Sequence, residues 1–272
     1  MIMKGKTALI TGASSGIGAA IAIRLAAEGA GLVLVARSED KLQALATLIG
    51  SQHGRRPTVI AADLSRPDCA TTLESQVQAK GLEVDILVNN AGFGTYGAFE
   101  DLPAAGDQEQ IAVNIAAVVA LSHAFLPGML ARGHGAILNT ASTAAFQPAP
   151  YMAVYAATKA FVLSFSEALW AEYRHRGIQV AALCPGAVDT GFIDRLGSAS
   201  VRQTAVFAST LDAQTVAQHA VKALNSRAPT HIVGLKNWLM AQSVRFSPRS
   251  MVSLMGAAML RPPAAAPQPR PR

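Results

Sequence analysis

The sequence predicts an α/β fold with a single doubly wound parallel sheet and helices on both faces. Three observations lead there. Short apolar runs alternate with helical stretches through most of the chain, and each run is bounded by turn or breaker residues. Half of the residues are hydrophobic (51%), which suits a parallel sheet covered on both sides. At 272 residues the chain fits one large domain with a sizeable core. Strand–helix alternation of this kind builds right-handed crossovers between parallel strands.

Residues 7–11 read as a buried strand, 16–28 as a helix and 32–36 as the second strand. Residues 38–49 read as helical, with Ser38 as the N-cap. Further strands are expected at 58–62, 86–88, 136–140 and 179–183, with helices near 68–80, 107–130 and 151–176 between them. A helix at 212–224 and a strand at 231–233 complete the domain, which is expected to run over residues 1–235. Residues 236–260 are expected to form a basic, apolar helical extension, and the Pro/Ala-rich residues 261–272 a disordered tail.

The net charge of +6 is unevenly placed. After Asp212 there is no acidic residue, while Lys222, Arg227, Lys236, Arg245, Arg249, Arg261, Arg270 and Arg272 follow. The rest of the chain is slightly acidic, so the high isoelectric point describes an appendage. It gives no basic face of the kind that nucleic acid requires. Cys69 and Cys184 lie far apart without metal-ligand spacing, which points to a reducing cytoplasm. His123, His134 and the other histidines show no ligand spacing either, and no metal is expected. Arg24 and Glu28 interrupt the apolar start, and no charge-free apolar stretch near the ~20 residues of a spanning helix is expected.

Strand 7–11 runs into Gly12-Ala13-Ser14-Ser15-Gly16-Ile17-Gly18, and a helix follows. In this geometry, backbone N–H groups and a helix N-terminus receive a pyrophosphate. Gly12 permits the tight turn, Gly16 a close backbone approach and Gly18 close helix–strand packing. The spacing lacks the Gly-Lys-Ser/Thr ending of a nucleoside-triphosphate loop. Further along, Tyr155 and Lys159 stand one helical turn apart on the same face. An ammonium beside a phenol favours the phenolate, so Tyr155 is expected to exchange protons below its ordinary ~10.

These segments, with Asn89-Asn90-Ala91-Gly92, Asn114 and Ser142 in order between them, resemble the short-chain dehydrogenase/reductase family over residues 4–235. The resemblance implies a Rossmann-type fold and a nicotinamide cofactor. It makes Tyr155 the proton donor to a substrate carbonyl. Lys159 would lower the Tyr155 pKa and bind the nicotinamide ribose, and Ser142 would hold the substrate oxygen. Asn114 would kink its helix and hold a water that links Lys159 to solvent. Ala36 occupies the position where family members that use NAD carry an acid. Arg37 and Ser38 follow, so NADP is the expected cofactor and NAD the lesser alternative.

By the same resemblance Asp63, with Leu64, contacts the adenine, and Asn90, Ala91 and Gly92 support the cofactor. Pro185, Gly186, Val188 and Thr190 would close over the nicotinamide. Residues 191–210, with Phe192, Ile193, Leu196 and Phe207, would form an apolar lid, which suggests a lipophilic carbonyl or alcohol substrate. A catalytically idle, cofactor-binding sensor or scaffold is the alternative function.

Two surface expectations remain. Phe161, Phe165 and Leu169 form a stripe that would either pair subunits into a homo-oligomer or pack on the sheet. The 236–260 extension would touch a membrane surface, pack over the substrate pocket or meet another subunit.

Overall fold

The computed structural model describes residues 3–197 and 199–262; the tail expected to be disordered falls, from residue 263 on, outside the described residues. The sheet carries seven strands, β1 (Thr7–Thr11), β2 (Gly31–Ala36), β3 (Thr58–Ala61), β4 (Ile86–Asn89), β5 (Gly135–Thr140), β6 (Ile178–Cys184) and β7 (Thr230–Ile232). Their order is β3-β2-β1-β4-β5-β6-β7, with every pairing parallel. Winding reverses between β1 and β4, so a crevice opens there at the carboxyl ends of the strands.

Each strand sends alternate side chains to opposite faces. Ala8 and Ile10 of β1 and Leu34 of β2 pack under helices α1 (Gly16–Ala27), α2 (Glu39–His53) and α8 (Ala213–Asn225). Leu9, Val33 and Val35 face α3 (Cys69–Ala79) and α5 (Ala117–Arg132). The predicted elements all form, with ends shifted by a few residues. Ser38 stands at the N-cap of α2, although its side chain makes no capping bond.

The helix expected over 107–130 is longer and interrupted. It begins as α4 (Ala104–Ile111), passes through a wide π turn at Ala112–Ala116 that contains Asn114, and continues as α5. That π turn widens the helix at the residue where a kink was expected. One expectation fails here. Residues 110–131 contain no Asp, Glu, Lys or Arg, and the run Ala104–Arg132 is long and apolar enough to cross a membrane. In this fold it is a core helix, with Leu121, Phe125, Leu126 and Met129 buried against the sheet. Buried Gln110, Asn114 and Ser122 interrupt its apolar character.

Helix α6 (Ala153–Tyr173) carries the predicted Phe161, Phe165 and Leu169 stripe. Phe165 and Leu169 pack against the core, while Phe161 is 39% exposed and stacks on Phe165 at 5.8 Å. Most of the stripe therefore belongs to the fold.

A buried polar chain fixes α6 against the sheet. Asn89 Nδ2 donates to Asn139 Oδ1 at 2.9 Å, Asn139 Nδ2 donates to Ser166 Oγ at 2.9 Å, and Ser166 Oγ donates to the Val162 carbonyl at 2.6 Å. Ser166→Ala leaves the Asn139 amide without its acceptor in the core, which costs about 1–3 kcal/mol. Urea unfolding is expected to show a lower midpoint with an unchanged slope.

Candidate active site

The crevice is a cavity of about 710 Å³. Its first wall is built by two turns that touch. The Thr11 hydroxyl accepts the N–H groups of Asn90 and Ala91, both at 3.0 Å, and Asn90 Nδ2 donates to the Thr11 carbonyl at 3.0 Å. Gly12 sits between them at φ 65°, where a Cβ would stand 2.9 Å from Ala91 Cα. Gly18 lies beneath, and a Cβ there would collide with the Gly12 carbonyl oxygen. No acidic side chain occupies the first turn of α1, and Ser15 at its N-cap makes no side-chain capping bond. The N–H groups of that turn are thus left for an anionic ligand. A pyrophosphate fits this cradle.

Ala36, Arg37, Ser38, Ala62, Asp63 and Leu64 line one end of the cavity. Arg37 Nη1 pairs with Glu109 Oε1 at 3.1 Å, both side chains being exposed. Sequence reasoning missed Glu109, which α4 brings across the cleft. The Asp63 carboxylate is held below its ordinary range by the Ser65 backbone N–H and hydroxyl, with Arg37 and Arg66 adding to the effect.

Ser142, Tyr155 and Lys159 meet at the other end. Ser142 follows β5 and caps a short 3-10 turn, its Oγ accepting the Ala144 N–H at 3.1 Å. That bond fixes the oxygen and leaves the hydroxyl proton free to donate. Lys159 is buried, and its Nζ donates to the Thr140 carbonyl at 2.7 Å while lying 5.8 Å from the centre of the Tyr155 ring.

One expectation is corrected at this point. Burial pushes Tyr155 up to about 12, against the opposing pull of Ser142. Lys159 does not bring it below its ordinary ~10, because the ammonium is turned to the Thr140 carbonyl and is itself pushed down to about 8 by burial. Loss of hydration outweighs the attraction between the two.

Asn114 and Gly18 do not line the cavity; they support it. Asn114 Nδ2 donates to the Phe93 carbonyl at 2.9 Å and to Thr158 Oγ1 at 3.0 Å, and its Oδ1 accepts the Phe93 N–H at 3.2 Å. It thereby ties the segment after Gly92 to the helix that bears Lys159. Every other predicted site residue lines the cavity, including Ser14, Ser15, Gly16 and Ile17.

The loop Pro185–Thr190 is pinned from two sides. Leu211 N–H donates to the Ala187 carbonyl at 2.8 Å, and Asp189 N–H to the Leu211 carbonyl at 2.9 Å. Behind it, Asn237 fills the space that a Gly186 Cβ would need, with its Nδ2 2.7 Å from that point. Asn237 belongs to α9 (Leu235–Ser243), which sequence reasoning had set apart as an extension. Phe192, on the short helix α7 (Gly191–Asp194), forms with Val206 and Phe207 of the expected lid an apolar wall, and it lies 5.4 Å from the Tyr155 ring. Met240 and the end of α10 (Arg249–Leu260) close the same wall.

Lys159 sets a pH dependence. Its folded pKa lies below its unfolded value of ~10.4, so between about 8 and ~10.4 the unfolded chain binds more protons and stability rises with pH. Tyr155 acts in the opposite sense above ~10, where only the unfolded chain loses its proton. Relative to wild type, Lys159→Met is expected to lose about 2–3 kcal/mol of stability between pH ~7 and ~10. Urea unfolding at the two pH values checks this, and a pH-independent difference contradicts it.

A family profile described as short chain dehydrogenase matches residues 6–200. 17-beta-hydroxysteroid dehydrogenase type 3 of Rattus norvegicus is 39% identical over 203 residues, which are 74% of this chain and 66% of that protein. Very-long-chain 3-oxoacyl-CoA reductase of Anas platyrhynchos is 40% identical over 191 residues, 68% of this chain and 61% of that protein. The chain thus spans less than two thirds of these curated relatives. Among solved structures, a short-chain dehydrogenase from Sphingobium yanoikuyae in complex with NADPH superposes with a TM-score of 0.79 at 34% identity, covering 89% of this chain and 94% of that one. With the profile spanning most of the sequence, this chain belongs to the short-chain dehydrogenase/reductase family.

Proposed function

We propose that this chain is an NADP(H)-dependent oxidoreductase that interconverts a lipophilic ketone and its secondary alcohol. One observation carries the proposal. Ser142, Tyr155 and Lys159 converge in the cavity that the glycine turn and Arg37 also line. At the adenosine end Ala36 leaves the ribose position without a carboxylate, and Arg37 supplies a guanidinium for a 2′-phosphate. The Arg37–Glu109 pair is exposed, so exchanging that carboxylate for a phosphate costs little.

A nicotinamide held in this cavity would supply or accept a hydride at the substrate carbon. The chain supplies the rest. Ser142 and Tyr155 both offer O–H groups to the substrate oxygen, which gains charge during reduction. Tyr155, neutral in its buried setting, donates its proton to that oxygen, and the carbonyl becomes an alcohol. The Lys159 ammonium offsets the phenolate left behind. In the reverse direction the phenolate takes the alcohol proton. Asn114 holds the Phe93 backbone and Thr158 and so keeps Lys159 in register. Phe192, Phe207, Met152 and Leu260 give the substrate end an apolar lining. The two relatives named for hydroxysteroids and very-long-chain acyl groups agree with that chemistry.

Tyr155→Phe keeps the ring and removes the proton, so turnover of a lipophilic ketone is expected to fall on the order of 10²–10⁴-fold. NADPH binding, followed by fluorescence titration, is expected to stay within a few-fold of wild type. A variant that retains most of its activity contradicts the mechanism. NADPH binding with no turnover on any carbonyl by the wild type would leave the idle binding protein as the reading.

Losing one charge-assisted hydrogen bond costs about 1.5–3 kcal/mol. Arg37→Ala is therefore expected to weaken NADPH binding roughly tenfold or more and to leave NADH binding nearly unchanged. Calorimetric titration with both cofactors checks the preference, and an equal loss for the two refutes it.

A further inference from the structure

The segment 235–261 combines three properties that the reaction does not require. Its two helices bear exposed apolar stripes at helical spacing, Leu235, Trp238 and Leu239 on α9 and Met251, Leu254 and Met255 on α10. Phe246 between the helices is 88% exposed and Leu254 is 73% exposed, values normally seen for polar side chains. The opposite stripe of α10 is anchored: Val252, Gly256 and Leu260 are buried, and the Tyr96 hydroxyl donates to the Leu260 carbonyl at 2.7 Å. That anchor prevents the exposed stripe from turning inward.

The second property is charge. Lys236, Arg245, Arg249 and Arg261 border the apolar stripes, and none forms an ion pair among the described residues. No acid follows Asp212. The third is position. Leu235 is 73% exposed and Met259 is also exposed, yet both line the cavity. The rim of the cavity is thus part of the exposed apolar surface.

We propose that segment 235–261 docks on an anionic lipid bilayer, with the rim of the cavity facing the lipid. Apolar side chains fringed by unpaired cations match the boundary between acyl chains and anionic headgroups. A second copy of the chain fits less well. Across a two-fold axis the same patch meets itself, and these cations would face one another with no acid in the segment to separate them. Docking stands without the proposed reaction. The further consequence, that a membrane-dissolved ketone enters directly at Leu235 and Met259, rests on that reaction.

The test is sedimentation of the full chain with phosphatidylcholine vesicles, with and without phosphatidylserine. It uses no cofactor or turnover, so its failure is distinct from failure of the proposed reaction. Wild type is expected to pellet with the anionic vesicles at low salt and to be released by high salt. Arg245→Gln with Arg249→Gln is expected to lower the partition on the order of 25-fold, about fivefold per cation. Phe246→Ser with Leu254→Ser is expected to lower it on the order of 100-fold or more, about what the loss of two buried apolar side chains predicts. These four residues do not line the cavity, so the thermal midpoint is expected to stay within a few degrees of wild type. Wild type that remains in solution at low salt overturns the proposal, as does a serine variant that pellets like wild type. A wild-type dimer that ignores vesicles and is split by the serine pair also overturns it, and assigns the face to a second copy.

Discussion

The contact between the turns after β1 and β4 is the constraint on which the cavity depends. These strands are neighbours in the sheet but 78 residues apart in sequence at their paired positions, and Thr11 lies 79 and 80 residues from Asn90 and Ala91 in the turn that follows β4. A single hydroxyl, on Thr11, receives two N–H groups from that second turn. The approach is so close that Gly12 has no room for a side chain, and Gly18 none beneath it. The backbone surface left behind presents N–H groups and the start of α1 rather than side chains. That surface suits a phosphate, whose charge favours helix N-termini and whose size requires an open backbone.

Desolvation organises the other end. Lys159 and Tyr155 are adjacent on α6, and in water a neighbouring ammonium would draw the phenol downward. Inside the fold, both groups instead resist ionising. In the proposed reaction a neutral phenol is the useful form, since it would hold its proton until the substrate oxygen becomes basic. Asn114 belongs to the same arrangement without touching the cavity. Its amide satisfies the Phe93 backbone and Thr158, and the π turn is the local helix geometry that puts it there. Spacing in the sequence locates Tyr155 and Lys159 on one face; only the surroundings decide how each one titrates.

This difference explains what was legible in the sequence. Strand and helix periods, the glycine turn and the Tyr-x-x-x-Lys spacing are local features, and each fixes geometry within a few residues. The structure places them as expected, down to the turn after β5 that carries Ser142. Glu109, the Thr140 carbonyl and Asn237 were not legible, because each reaches the site from a distant element through the sheet order. The apolar run at 110–131 was misjudged for a related reason. Its polar interruptions, Gln110, Asn114 and Ser122, have meaning only through partners that the sequence does not show.

Helix α9 connects the two halves of the molecule's behaviour. Asn237 supports the Gly186 loop from behind and donates from Nδ2 to the Val233 carbonyl at 2.7 Å, while Trp238 and Leu239, the next residues, stand exposed. A force or ligand acting on the exposed stripe therefore acts on a helix that also holds the loop beside the cavity. Helices transmit such displacements as nearly rigid bodies, because their backbone hydrogen bonds are internal. The glycine turn is held chiefly by other elements, by the β4 turn through Thr11 and by β2 through the Ala13 N–H on the Val35 carbonyl at 3.2 Å, and it meets the loop where Gly16 faces Thr190. In the proposed reaction the substrate-side rim and the loop position therefore share one element, while the phosphate-facing turn is held chiefly by the strands β1, β2 and β4.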